Sequence, residues 1–264
     1  MIEIHSHILP GIDDGATDFT AAVRMAQAYA SQRVKIVCCT PHFNPAQITD
    51  QDHFAFFRTI AQTYNQLTAL INDRNIDLQI RLGAEIRLSP DLPRFLETYA
   101  SLFPLGLAGT HHLLLEFPSG KQCDLTIYEP IIFQLQLTGY TPVLAHPERN
   151  LLIGRHNLQI LERWIEQERI LIQINCSSLC DVPFWKWHKR SRISYQQARL
   201  LLDRNLVHCI ASDAHDLVRR PPLNRWAFRS ISRRYGIERA QRLMQINPGQ
   251  LLLGQSAAVN PSSH

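Results

Sequence analysis

The chain has 264 residues, 45% of them apolar and 19% charged, with a formal net charge of +4. That length and composition support a large buried core and exclude a disordered chain. So small a positive charge excludes nucleic-acid binding as the main purpose and leaves mild attraction to anionic substrates. The start, Met-Ile-Glu-Ile-His, has neither the basic nor the long apolar region of a secretory signal, and no run approaches the roughly 18–20 apolar residues that span a bilayer. The six cysteines (Cys38, Cys39, Cys123, Cys176, Cys180, Cys209) form no Cys-x-x-Cys pair and no even framework. Free thiols in a reduced, cytoplasmic protein without membrane insertion are the expectation.

In chain order, the first element is a short apolar strand that delivers His5 and His7 at its carboxyl end. Alternate residues of an extended chain face one side, so the two imidazoles aim at one point, as a divalent cation requires. A Pro-Gly turn then returns Asp13 and Asp14 toward that point. Seven apolar runs read as buried strands: Ile2–Ile4, Val34–Cys39, Leu78–Leu82, Leu113–Phe117, Thr141–Ala145, Ile170–Ile174 and Val207–Ala211. Most are continuous rather than alternating, the pattern of parallel strands covered on both faces. Between them, Phe54, Phe57, Ile60, Ala61, Tyr64, Leu67 and Ile71 recur at helical spacing, and Ala21–Ala30, Leu125–Leu137, Leu158–Ile165 and Tyr195–Leu202 read as further helices. A helix from about Leu223 and another near Glu238–Gln245 follow, after which Asn-Pro-Gly leads into a polar tail. Strands alternating with helices predict an α/β domain over residues 1–254 built on a parallel sheet, closed or doubly wound, with 255–264 frayed.

The carboxyl ends of these strands carry a repeated chemistry. They supply His5, His7 and Asp14 from the first, His42 from Thr-Pro-His after the second, and Glu85 from Gly-Ala-Glu-Ile-Arg after the third. The fourth supplies Glu116, the fifth His146 and Arg149 in Ala-His-Pro-Glu-Arg, and the seventh Asp213 and His215 in Ala-Ser-Asp-Ala-His. Parallel α/β folds place their active sites at those ends. Imidazole and carboxylate donors without thiolate suit zinc, manganese or iron. Nine ligand-type residues exceed what one ion takes, so two or three clustered divalent ions are implied. Three ions would outweigh the four carboxylates by two positive charges, which a phosphate dianion matches, and such a cluster can generate hydroxide and clamp substrate oxygens.

Taken with Arg-Pro-Pro at 220–222, these motifs resemble the polymerase-and-histidinol-phosphatase (PHP) superfamily, and most closely the bacterial metal-dependent tyrosine-protein phosphatases of capsule and exopolysaccharide clusters. The resemblance covers roughly residues 1–250, with every motif in order. It implies a distorted seven-stranded (β/α)7 barrel of the TIM-like PHP type and a trinuclear site, typically manganese, with iron or zinc as alternatives. It implies the ligands His5, His7, Asp14, His42, Glu85, Glu116, His146, Asp213 and His215, with Arg149 and Arg220 at positions used to hold phosphate. The substrate it implies is the phosphorylated tyrosine tail of a bacterial kinase, hydrolysed by metal-activated hydroxide; an oligomer is compatible with it. Asp181–Arg192, containing Phe-Trp-Lys-Trp-His-Lys-Arg, matches no family motif.

Other signals are weaker or absent. A cysteine phosphatase needs Arg six positions after its Cys, whereas those positions hold Asn44, Pro45, Glu129, Val182, Lys186 and His215. There is no Gly-x-Ser-x-Gly elbow and no phosphate loop. Asn175 reads either as a pocket contact or as a helix cap. Trp185 and Trp187 read either as a platform for a phosphotyrosine ring or as packing. His111 and His112 read as residues leading into a strand, and His53, His156, His188 and His208 as surface or structural histidines. The rival functions are a small-molecule phosphomonoesterase such as histidinol phosphatase, a proofreading nuclease, and a metal-binding regulatory subunit without catalysis.

Overall fold

Continuous apolar runs flanked by amphipathic helices fold here into parallel strands with helices outside them. The computed structural model describes residues 1–47, 50–101, 103–118, 124–149, 155–180 and 189–258. The strands are β1 (Ile2–Ser6), β2 (Ile36–Cys39), β3 (His42–Phe43), β4 (Gln79–Leu82), β5 (Glu85–Arg87), β6 (His112–Glu116), β7 (Thr141–Ala145), β8 (Leu171–Asn175) and β9 (Cys209–Ala211). Every pairing is parallel, in a three-stranded sheet ordered β1-β2-β4 and a six-stranded sheet ordered β3-β5-β6-β7-β8-β9. All the carboxyl ends therefore face one side of the molecule.

The expected closed barrel of seven strands is corrected on two counts. Two of the seven runs are followed by a second short strand, and the hydrogen-bonded ladders form two open sheets rather than one closed one. The ladder stops at Thr40–Pro41, where proline has no N–H to donate, and restarts at His42. It stops again at Gly83–Ala84, before Glu85 pairs with His42. Gly83 is tightly hemmed, since a Cβ there would lie 3.2 Å from Cys38 Sγ and from Gly106 O. At the far edge, Asp213 N donates to His5 O and His7 N to Ala214 O, both at 2.9 Å, tying the exit of β9 to β1.

The helices are α1 (Phe19–Ser31), α2 (Asp50–Asp73), α3 (Leu92–Tyr99), α4 (Glu129–Leu137), α5 (Arg155–Glu166), α6 (Lys189–Asp203), α7 (Asn224–Tyr235), α8 (Ile237–Gln241) and α9 (Asn247–Leu252). Asp18 starts α1 by accepting from Ala21 N at 2.9 Å. The helix then buries Ala22, Val23, Met25, Ala26 and Tyr29. The Tyr29 hydroxyl sits 2.8 Å from both Ser6 Oγ and Ser212 Oγ, so one buried phenol joins α1 to the ends of β1 and β9. Glu3 makes a second tie. Its fully buried carboxylate accepts from His5 N (2.8 Å), Ser212 N (2.7 Å) and Asn224 Nδ2 (2.7 Å). Burial raises its pKa, but three donors satisfy the oxygens, as a buried carboxylate requires.

Two helices were not expected, α3 and α9. In α9 the Asn-Pro-Gly reads as a turn but places proline in a first helical turn. Gly249 lets that turn close on β1, where a Cβ would meet Ile2 Cδ1 at 3.2 Å. Asn247 Nδ2 donates to His208 O and Ala258 O, and Ala257 is buried, so residues 255–258 of the expected frayed tail are held against the body. Among the described residues, no helix is long and apolar enough to cross a membrane.

Candidate metal centre

The site grows from the exit of β1. His5 and His7 are both fully buried, and each has its Nδ1 committed to a partner. His7 Nδ1 lies 2.7 Å from Asp13 Oδ2, a carboxylate that also accepts from His42 N and, through Oδ1, from Gly15 N. Glycine is required at 15, because a Cβ would lie 2.0 Å from His7 O, so only this residue lets the Asp13-Asp14 turn fold back onto the histidine.

His5 is oriented by a relay. Asn175 Nδ2 donates to Asp213 Oδ2 at 2.7 Å, and a carboxylate can only accept, which fixes that amide. Its Oδ1 then accepts from Gln173 Nε2 at 2.9 Å, which turns Gln173 Oε1 toward His5 Nδ1, also at 2.9 Å. His5 therefore carries its proton on Nδ1 and directs the Nε2 lone pair inward. His215 is set likewise, with Nδ1 donating to Asp213 O at 3.0 Å.

Those inward nitrogens crowd one another and the carboxylates. His5 Nε2 and His7 Nε2 are 3.3 Å apart, and they lie 3.2 and 3.3 Å from Glu85 Oε2 and 3.5 and 3.4 Å from Asp213 Oδ1. Asp14 Oδ1 stands 3.3 Å from His42 Nε2 and 3.2 Å from His215 Nε2, while His42 Nδ1 is 3.0 Å from Glu85 Oε2. His146 Nε2 reaches Glu85 Oε1 at 2.9 Å, with Glu116 Oε1 at 3.9 Å. All nine residues expected as ligands are thus in one cluster. Three subsets have their donor atoms within 4.8 Å of one another: His7-Asp14-His42-His215, His5-His7-Glu85-Asp213 and His42-Glu85-Glu116. Two members, His146 (φ 34) and Asp213 (φ 52), hold left-handed backbone that non-glycine residues rarely adopt.

The residues fit divalent ions. Glu85 Oε2 and His215 Nε2 are buried without a hydrogen-bond partner, although Glu85 Oε2 faces His5 Nε2 and His215 Nε2 faces Asp14 Oδ1, both at 3.2 Å. Nitrogen lone pairs aimed at one another and at carboxylate oxygens repel unless a cation lies among them. The titration of the metal-free cluster says the same. Burial alone would lower the His5 pKa, but Glu85 and Asp213 outweigh it and lift it to about 8. His7 is raised as well against the same burial, mainly by Asp13. Despite burial, the histidines hold Glu85 and Asp213 well below the ordinary carboxylate range, and Asp13 falls to about 2. His215 goes the other way, to about 3, because burial, His7 and Arg220 oppose its proton.

Both expected arginines reach the cluster. Arg149, in the turn after His146, donates to Asp213 Oδ2 at 2.5 Å. Arg220 donates to Asp213 at 3.1 and 3.2 Å and to Asp14 Oδ2 at 3.3 Å. The Arg220 loop is shaped by Asp216, whose Oδ1 accepts from the N–H groups of Val218, Arg219 and Arg220. Neither guanidinium is buried, so both stand at the rim with N–H groups facing the cluster.

Sequence reasoning missed the supporting groups Gln173, Glu148 and Asp216, and it brought Asp13 back near the site as a carboxylate without giving it the His7 Nδ1 that it holds. It left Asn175 open between two readings, and the side chain makes no cap hydrogen bond but bonds Asp213. Glu148 braces the same strand end, accepting from Asn175 N at 2.9 Å and Ser178 Oγ at 2.7 Å. Trp185, Trp187, His188 and Cys123 lie outside the described residues. His112 opens β6 at the end away from Glu116, His156 pairs with Asp124 on the surface, and His208 accepts from Ile172 N; none faces the cluster.

Comparisons with known proteins agree with this geometry. Residues 1–253 match the family described as capsular polysaccharide synthesis, CpsB/CapC. The chain is 32% identical over 238 residues to the tyrosine-protein phosphatase YwqE of Bacillus subtilis, covering 90% of this chain and 86% of the relative. It is 28% identical over 258 residues to the tyrosine-protein phosphatase CpsB of Streptococcus pneumoniae, covering 97% and 99%. A solved structure from work on YwqE and CpsB, described as unique metal-dependent tyrosine phosphatases, superposes with a TM-score of 0.82 at 31% identity, covering 99% of this chain and 98% of the other. The chain belongs to the CpsB/CapC family.

Proposed function

We propose that this protein is a metal-dependent phosphotyrosine-protein phosphatase acting on the phosphorylated tail of a bacterial tyrosine kinase in capsule or exopolysaccharide regulation. The observation that carries the reading is the cluster itself: histidines with fixed tautomers and buried carboxylates converge beneath two arginines. Membership of a family whose relatives are named tyrosine-protein phosphatases supports it. In this reading His5, His7, Asp14, His42, Glu85, Glu116, His146, Asp213 and His215 hold two or three divalent ions, manganese first among them. Bound there, such ions supply an activated water for attack on phosphorus and offset the phosphate's charge.

The chain's own groups do the rest. Arg149 and Arg220 each present a planar fork that can hold two phosphate oxygens, orienting the ester for in-line displacement. Asp13 and the Asn175–Gln173 relay keep the His7 and His5 protons on Nδ1, away from the reacting centre. Burial pushes the Cys38 thiol up to about 12 and raises those of Cys39, Cys176 and Cys209 as well, which makes these four poor nucleophiles. The free thiols of Cys38, Cys39, Cys176 and Cys209 support a reducing, cytoplasmic setting.

The test is an activity panel on manganese-loaded protein with a phosphotyrosine peptide, histidinol phosphate and single-stranded DNA. Turnover of the peptide above the other two is expected. Preference for histidinol phosphate would replace the reading with a small-molecule phosphomonoesterase.

A further inference from the structure

Away from the cluster, residues of α6 and α7, with Leu179 and Tyr235, line a groove of about 600 Å³. Four arginines line it, Arg199, Arg229, Arg233 and Arg234, beside Tyr195 and Trp226, and no carboxylate is among its described lining residues. Arg229 and Arg233 are exposed, and neither guanidinium has a hydrogen-bond or ion-pair partner among the described residues. Arg229 also lines a second depression, of about 360 Å³, together with Arg33 and Arg225. Arg225, Arg229 and Arg233 recur every fourth residue, on one face of α7. The helix dipole accounts for Arg233 and Arg234 in the last turn. It does not account for Arg229, nor for Arg199 on the neighbouring helix. Like charges gathered on one face repel, so this arrangement does not serve the stability of the helices themselves.

We infer that this groove is a second anion site, which grips a second phosphotyrosine of the protein substrate, outside the segment being hydrolysed. The inference rests on the phosphatase reading for the identity of its ligand. Charge complementarity supports the occupant: each phosphotyrosine carries about −1.5 to −2 and offers oxygens that a guanidinium fork binds two at a time. The aromatic lining is equally suited. Arg199 donates to the Tyr195 hydroxyl at 2.7 Å and lies over its ring at 5.4 Å, and the Trp226 side chain is 37% exposed beside them. A phenyl ring with a phosphate matches such a mixed surface. Position fits as well. Leu179 comes four residues after Asn175, which bonds Asp213, and α7 starts four residues after Arg220. Four residues span at most about 14 Å, and Arg229 and Arg233 lie five and nine residues into α7, about 8 and 14 Å further along it, so an extended peptide of several residues is needed to join groove and cluster.

The test uses the full chain and the variant Arg229→Glu/Arg233→Glu, whose changes are exposed and outside the cluster. The probes are a small aryl phosphate, a peptide with one phosphotyrosine, and the same peptide with a second phosphotyrosine some residues away. Wild type should favour the doubly phosphorylated peptide about tenfold in KM, and the variant should lose that preference while its aryl phosphate kinetics stay within about twofold. The overturning result is a wild type without preference, or a preference that survives in the variant. Fluorescence anisotropy of the doubly phosphorylated peptide on metal-free protein decides the groove even if no substrate is turned over, a result that would sink only the phosphatase reading. A single-stranded oligonucleotide that binds more tightly than the peptide, and only to wild type, would reassign the groove to nucleic acid and overturn the inference.

Discussion

Histidines are buried at both ends of the strands, and they behave in opposite ways. At the carboxyl ends, His5 is lifted to about 8 and His7 is raised too. At the amino ends, His112 and His208 are pushed down to about 4. Burial disfavours imidazolium at all four. The difference lies in what faces the ring. Glu85, Asp213 and Asp13 surround the first pair, whereas His112 lies against the His111 ring with its Nδ1 3.2 Å from Leu251 O and 3.4 Å from Thr110 Oγ1, and His208 Nδ1 accepts from Ile172 N at 3.0 Å. The carboxylates around His5 and His7 hold positive charge, whereas His215, at the same end but beside His7 and Arg220, falls to about 3, as the amino-end pair fall. A histidine's burial therefore says little about its role until its neighbours are known.

The hardest blow to this contrast is removal of a carboxylate from the cluster. Asp213→Asn should lower kcat/KM by about a hundred- to a thousandfold, because Asp213 faces His5, His7 and both arginines. Elemental analysis should show fewer manganese ions per chain than in wild type. Normal activity at normal metal content would mean that the cluster is not the working centre. Next come the rim arginines. Arg149→Ala and Arg220→Ala should keep their metal yet lose about 1–3 kcal/mol of transition-state stabilisation, roughly ten- to a hundredfold in rate. Lysine at either position should restore only part, since a point charge cannot copy the fork. Unchanged kinetics in the Arg149 variant at full occupancy would assign phosphate binding to the metals alone. Smaller still is the relay. Asn175→Ala frees Gln173 to rotate and His5 to change tautomer, so manganese affinity by titration should fall about tenfold. An unaltered affinity would show that His5 is oriented without the relay.

The sequence announces the parts of this molecule that depend on apolar runs and strand-end ligands. All seven runs overlap strands, and the nine ligand-type residues meet. The short strands β3 and β5 gave no signal, because two or three residues beginning with His42 and Glu85 have no apolar run to read. Those same strands break the sheet in two, so the topology was misjudged for the same reason. Helix α3 escaped because it is eight residues long, opens on Leu92-Pro93 and has no capping hydrogen bond from Asp91. The supporting groups were illegible for another reason. Gln173 and Asn175 act through amide orientation, which depends on what each side chain meets across the fold and leaves no trace in spacing.

The mildest test concerns the amino-end pair. His208 is 3% exposed, and burial pushes its pKa to about 4, below the ordinary value near 6.5. Between those two values the unfolded chain binds a proton that the folded protein refuses, so stability must rise with pH there. The contribution is complete above about pH 6.5 and is lost as pH falls toward 4, and the loss amounts to about 2 kcal/mol at pH 5. Other groups titrate over the same range, so wild type alone cannot isolate it. His208→Asn keeps an acceptor for Ile172 N but does not titrate, and any cavity it leaves destabilises equally at both pH values. Urea unfolding at pH 7 and pH 5 should therefore show wild type losing more stability than His208→Asn, by about that amount. Parallel losses in the two proteins would mean that His208 takes up its proton without unfolding, and the contrast between the two ends would then rest on His112 alone.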